Sequence, residues 1–193
     1  MIVMFHVIAG AGVAHVASTT TLRKEPLAAR KPGPGLFAFA CLVGLLSHGL
    51  LDGVKHGYPI AAVPDIAGAA VLAALWCIAV RPEFRLLFAA VIVSAVLPDI
   101  IDHGSAMLHW KAGLNIPVNA RHVFPWHWPE GSGSLHPGGP GSTLDTVRNL
   151  DAGRNRAVSL TNYLIVLITA VGCVLTSPWV FRFVRLPEYA RAV

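Results

Sequence analysis

"LFAFACLVGLLSHGLLDGV", residues 36–54, decides how the rest of the chain is read. The run from Leu36 to Leu46 holds no charged side chain, and then Ser47, His48 and Asp52 arrive before the apolar character ends. The stretch has the length of a membrane-spanning α-helix, which takes about 20 residues to cross a ~30 Å hydrocarbon core. Read on to "SHGLLDGVKHG", residues 47–57, it sets His48, Asp52 and His56 at i, i+4 and i+8. On a helix those positions lie roughly on one face. The pattern predicts a membrane span with potential metal ligands striped along one end.

Composition points the same way. The chain has 193 residues, of which 54% are hydrophobic and 13% charged, with a mean hydropathy of +0.60. A soluble domain carries about 25% charged residues. The net charge of +5 is therefore a topology signal first. No Lys/Arg cluster interleaves with aromatic residues, which argues against a nucleic-acid partner. Cys41, Cys77 and Cys173 form no CxxC pair, so neither a zinc ribbon nor a disulfide framework is expected. They read as small packing residues.

Apolar stretches at residues 2–18, 36–54, 60–80, 84–101 and 158–180 predict an all-α fold. It is a single membrane domain over residues 1–193, an integral helical bundle of about five transmembrane helices. The first stretch has no basic residue before it and a poor small-residue cleavage pattern, so it reads as a retained helix rather than a leader. Arg23, Lys24, Arg30 and Lys31 follow the first stretch, Arg81 and Arg85 flank the third and fourth, and Arg182, Arg185 and Arg191 end the chain. Positive loops stay cytoplasmic, which predicts the N-terminus out and the C-terminus in. The segment 102–157 is then a Pro/Gly/Trp-rich outer loop containing "NIPVNARHVFPWHWPEGSGSLHPGGPGS". Trp110, Trp126 and Trp128 suit a membrane–water interface, and the loop reads as a cap over the helix ends.

This topology, set without any histidine or aspartate, gathers those residues on one side. His6, His48, Asp52, His56, Asp65, Asp99, Asp102 and His103 all fall at outer helix ends, and His109, His122, His127 and His136 in the outer loop. Only His15 falls near the inner side. Charged groups in lipid cost ~2.5–3.5 kcal/mol each on insertion scales and need partners. Lys55, Lys111 and Arg121 are too few to serve. Carboxylates and imidazoles short of basic partners predict a bound divalent metal, with zinc suited to the mixed nitrogen and oxygen donors. His48, Asp52, His56 and Asp99 are the expected ligands, and Asp102 or His103 a further ligand or the general base. Such a set can hold one ion, or two about 3.5–4 Å apart. His15 and His109 read as hydrogen-bonded within the bundle. Asp65, after Pro64, reads as an N-cap of the third helix. Asp99, after Pro98, can also be read as ending the fourth in a turn. His122, His127 and His136 are candidates for extra ligands or proton shuttles.

"SHGLLDGVKHGYP" followed by "AVLPDIIDH" resembles the S-H-x-x-x-D-x-x-P-H and L-P-D signatures of a group of small bacterial and archaeal integral membrane proteins. These are related to the YdjM-type membrane-bound metal-dependent hydrolases. The resemblance covers about residues 1–110 and departs at Lys55, where the signature has proline. It implies a metal-dependent hydrolase in a prokaryotic inner membrane, with metal ligands at His6, His48, Asp52, His56, Asp99 and His103. A site at the membrane face, among membrane lipids, favours a lipid or a lipid-linked ester or phosphoester as substrate. Two other classes use the same residues: a protein that binds or passes metal ions or protons, and a non-catalytic membrane scaffold. A transport path needs polar residues through to the inner face, where only His15, Ser94 and a few Ser/Thr are found.

Overall fold

The computed structural model describes residues 3–24, 31–52, 62–118 and 122–127, and every regular element among these residues is helical. Helix α1 runs Val3–Lys24, α2 Pro34–Asp52, α3 Ala62–Ala79 and α4 Arg85–Trp110. Short 3₁₀ turns occupy Pro82–Phe84, leading into α4, and Pro125–His127. The predicted fifth helix at 158–180 lies outside the described residues, as do His56 and His136.

Each helix has a local reason for its bounds. Proline opens α2, where its missing N–H would have had no intrahelical partner and its φ is already helical. In α1, Ser18 and Thr21 return their hydroxyl protons to the Ala14 and Ala17 carbonyls at 2.7 and 3.1 Å, so neither hydroxyl is stranded among apolar neighbours. The expectation for Asp65 needs correcting. It sits in the first turn of α3, yet its carboxylate caps α1, accepting the Val3 N–H at 2.6 Å and the Met4 N–H at 3.3 Å. The free N–H groups of a helix start are satisfied as well by a carboxylate from a neighbour as by their own cap.

The fourth helix differs most from its predicted extent, 84–101. It passes through Pro98 and continues to Trp110, so Asp99 does not end it and the loop begins nine residues later than 102. Pro98 offers no N–H to the Ser94 carbonyl, which usually breaks a helix. In a bundle, such a turn survives when neighbouring groups satisfy the loosened backbone. The adjacent carbonyl, Ala95, receives the ring N–H of His48 from α2 at 2.7 Å.

Helix α4 lies at the centre, packed against α1, α2 and α3, and α1 also touches α2 and α3. Close approach depends on small residues: a Cβ at Gly10 would stand 2.9 Å from the Ala95 Cβ and 3.0 Å from the Ile92 Cα. The interior joins Val7, Ala11, Ala14, Ala40, Phe84, Leu87, Phe88 and Val91. What faces outward is equally apolar. In α2, Phe39, Leu42, Leu46 and Leu50 are exposed while Ala40, Gly44, His48 and Leu51 are buried. Apolar side chains outside and imidazoles inside invert the soluble pattern. Among the described residues, three segments are long and apolar enough to cross a membrane: Val3–Thr21, Pro34–Asp52 and Pro82–Trp110. The apolar run of α3, Val63–Ala79, is shorter.

Candidate metal centre

The site forms where the first turns of α1, the last turn of α2 and the middle of α4 reach the same level. Helix α4 extends past it by seven residues beyond His103, about 10 Å of helix. The chain then returns, and residues 122–127 fold back over the end of α2. There the Trp126 indole lies against Gly49, where a Cβ would be only 2.9 Å from a ring carbon. That contact sets the next residue, His127, into the bundle end.

Four donors meet there. His48 Nε2 stands 2.9 Å from Asp52 Oδ2, 3.3 Å from Asp99 Oδ1 and 3.1 Å from His127 Nε2. His127 Nε2 stands 2.9 Å from the same Asp52 oxygen and 3.4 Å from the same Asp99 oxygen. The remaining separation, between the two carboxylate oxygens, is within 4.8 Å. Five of the six separations, 2.9–3.4 Å, match what donors sharing one ion require. An ion bonded at ~2.0–2.1 Å to four tetrahedral donors needs edges of about 3.3 Å.

Proton bookkeeping at the two rings decides what the cavity between them wants. His48 Nδ1 faces only the Ala95 carbonyl, an acceptor, so it carries the proton and donates at 2.7 Å. His127 Nδ1 donates to Asp102 Oδ2, also at 2.7 Å. In their neutral forms both Nε2 atoms then present lone pairs to each other and to two carboxylates. Four lone-pair donors face to face repel unless a cation lies among them. Both Asp99 oxygens have no hydrogen-bond partner among the described residues. A second N–H fixed on a carbonyl or carboxylate is also how metal-binding histidines are oriented.

Asp102 is fully buried, and its oxygens are spent on the loop. Oδ1 accepts the Val123 N–H at 2.6 Å, and Oδ2 accepts the Phe124 N–H at 3.1 Å besides the His127 ring. His6 stacks on His48 with ring centroids 3.8 Å apart and sends Nε2 to 3.3 Å from Asp52 Oδ1. His103 lies beside the four donors, its ring centroid 4.8 Å from that of His127, and groups with His122 and His127 as a second set whose ligand atoms lie within 4.8 Å of one another. His127, in the connecting segment, feels opposing influences. Burial pushes its pKa down, but the hydrogen bonds to Asp52 and Asp102, with the charge of Asp99, raise it above the ordinary histidine value.

The structure thus brings together His6, His48, Asp52, Asp99, Asp102 and His103 from the sequence reading and, of the loop candidates His122, His127 and His136, sets His127 at the centre. His109, also in α4, is not part of either donor group. No protein-family model, curated protein or solved structure matches the chain significantly.

Proposed function

We propose that the protein is a membrane-bound, divalent-metal-dependent hydrolase acting on a lipid or lipid-linked ester or phosphoester. The observation that supports it best is the close group of four donors, His48, Asp52, Asp99 and His127, at the end of an apolar bundle. Mixed imidazole and carboxylate donors suit zinc among common divalent ions. Such an ion supplies Lewis acidity and lowers the pKa of bound water towards ~7. Asp52 and Asp99 balance its charge, His6 steadies Asp52 through the second oxygen, and Asp102 holds His127 in the tautomer that aims Nε2 inward. Of the two residues offered for proton transfer, Asp102 is therefore a positioning residue. His103 keeps a buried Nδ1 with no hydrogen-bond partner among the described residues, beside the centre. The location at helix ends, beside the three membrane-length helices among the described residues, fits a substrate that arrives in the plane of the bilayer. The resemblance to YdjM-type proteins points to the same class.

One observation favours a second reading, a non-catalytic metal site. Four protein donors are enough to fill a tetrahedral shell, whereas catalytic zinc keeps a position open. Cobalt(II) substitution separates the two. A hydrolase expands its coordination when phosphate or an ester analogue is added, and its visible absorption weakens and shifts. The purified protein should also cleave a lipid phosphoester in mixed micelles, with Asp99→Asn reduced at least 100-fold. A cobalt spectrum indifferent to every added anion, together with no turnover of ester or phosphoester lipids, would overturn the hydrolase reading and leave a structural metal.

A further inference from the structure

The four-donor set does not use every ligand that the fold assembles. His103 and His122 are both buried, their rings 5.1 Å apart and nearly perpendicular, and each faces His127 at 4.8 and 6.0 Å between centroids. Three imidazoles with ligand atoms inside 4.8 Å form a donor set of their own. His103 Nδ1 is enclosed without a hydrogen-bond partner among the described residues. A buried imidazole nitrogen left bare costs on the order of 1–3 kcal/mol. Asp102 Oδ2 lies between the two sets, 2.7 Å from His127 Nδ1 and 4.0 Å from His122 Nδ1.

We propose that His103, His122 and the Nδ1 edge of His127 form a second divalent-cation site, with Asp102 as its anionic neighbour, so that the centre holds two ions flanking one ring. The inference rests on the first set binding an ion through His127 Nε2. That nitrogen is then committed, and the second set must draw on the opposite edge of the ring. Filling it displaces the Nδ1 proton of His127 to solvent, leaving the ring as a bridging imidazolate. Imidazole-rich donors select zinc, copper or nickel over magnesium or calcium. His103 becomes a ligand in this arrangement and not the general base. The first site has two carboxylates to match one divalent ion, while the second has three imidazoles and a single carboxylate. The second is therefore the weaker and the more readily stripped.

Stoichiometry tests this without reference to turnover. The detergent-purified protein is stripped with chelator, titrated with zinc, desalted and analysed for metal per chain. Two zinc ions are expected for the wild type, and one each for His103→Ala, His122→Ala and Asp99→Asn. Circular dichroism and gel filtration establish that each variant keeps its fold, and the wild-type count decides even where one does not. One zinc in the wild type, unchanged in His103→Ala and lost in Asp99→Asn, overturns the second site and leaves the first standing. Two zinc ions retained by both histidine variants also overturn it. No zinc at all in the wild type overturns the metal reading of the whole centre.

Discussion

The centre turns on Asp102, which decides where His127 points. Its two oxygens take the Val123 and Phe124 N–H groups and the His127 ring N–H, all from one short segment. Replacing the carboxylate in Asp102→Asn keeps the shape but removes the charge and puts donors where only acceptors fit. Loss of such an outer partner typically costs 10–100-fold in metal affinity. Zinc affinity of Asp102→Asn, measured by competition with a chromogenic chelator, should fall by that amount while Asp65→Asn leaves it unchanged. Equal affinity in the Asp102 variant and the wild type would remove Asp102 from the site. His127 adds a pH signature. It faces Asp52 and His48 from α2, Asp99, Asp102 and His103 from α4, and His122 on its own segment. In metal-free protein these carboxylates hold its proton to a pH above the ordinary histidine range. Its raised folded pKa therefore contributes stability that is complete below the unfolded pKa of ~6.5 and is lost as pH rises through the folded value. A metal competes for the same nitrogen, so affinity should run the opposite way and strengthen as pH rises through that value, with protons released on binding. Calorimetry in buffers of different ionisation enthalpy counts those protons. A zinc affinity flat between pH 6 and 9 would contradict the competition.

At the scale of elements, the docking of residues 122–127 on α2 is a matter of one missing methyl group. The Trp126 ring occupies the place where a Gly49 side chain would be. In Gly49→Ala either the indole moves or the segment lifts, and overpacking of this kind costs ~1–3 kcal/mol. The lost docking should appear as a red-shifted Trp126 emission and a roughly 10-fold or greater loss of zinc affinity, with helix content by circular dichroism unchanged. An unaltered affinity would show that His127 reaches the centre without the Trp126 contact. The same segment shows what the sequence could and could not reveal. Residues His48, Asp52, Asp99 and His103 were legible because α-helical spacing at an apolar boundary is a strong periodic signal, and α2 matches its predicted extent within two residues at each end. His127 carries no such signal. It lies in a Pro- and Trp-rich connection, and only tertiary docking distinguishes it from the other histidines of the loop. Helix α4 was underestimated because Pro98 has the local marks of a stop, and the contact beside its turn, from His48 to the Ala95 carbonyl, spans 47 residues of chain. Asp65 was legible as a cap but not as a cap of a different helix, since propensity identifies a donor-seeking carboxylate and says nothing about which helix start lies beside it.

Across the whole molecule the polar and apolar parts have exchanged their usual places, and that makes the centre a structural joint as well as a chemical one. Helices whose outward faces are Leu42, Leu46, Leu86 and Val93 gain nothing from burying those faces against one another in lipid, where the hydrophobic effect between helices vanishes. Cohesion must come from close packing, as at Gly10 and Ala95, and from polar contacts between helices. The polar contacts concentrate at one end, where α2, α4 and the 122–127 segment contribute donors, α1 contributes His6, and the Asp65 cap ties α1 to α3. Without a metal ion that end sets three aspartates, two of them in the donor group, against only the protons that the imidazoles carry, and the helix ends are held less tightly. With a cation the same groups pull inward. A ligand that binds only the folded state at 1,000 times its Kd stabilises by ~4 kcal/mol. The thermal unfolding midpoint of the protein in detergent should therefore rise saturably with zinc and fall on chelation, by several degrees in the wild type and by much less in Asp99→Asn, which keeps only the weaker site. Magnesium at the same concentration should do much less, because imidazole donors favour zinc. A midpoint indifferent to zinc and chelator, in protein whose metal content has been measured to change, would mean that the four donors close without a cation and that the joint is held by protons on His48 and His127 alone.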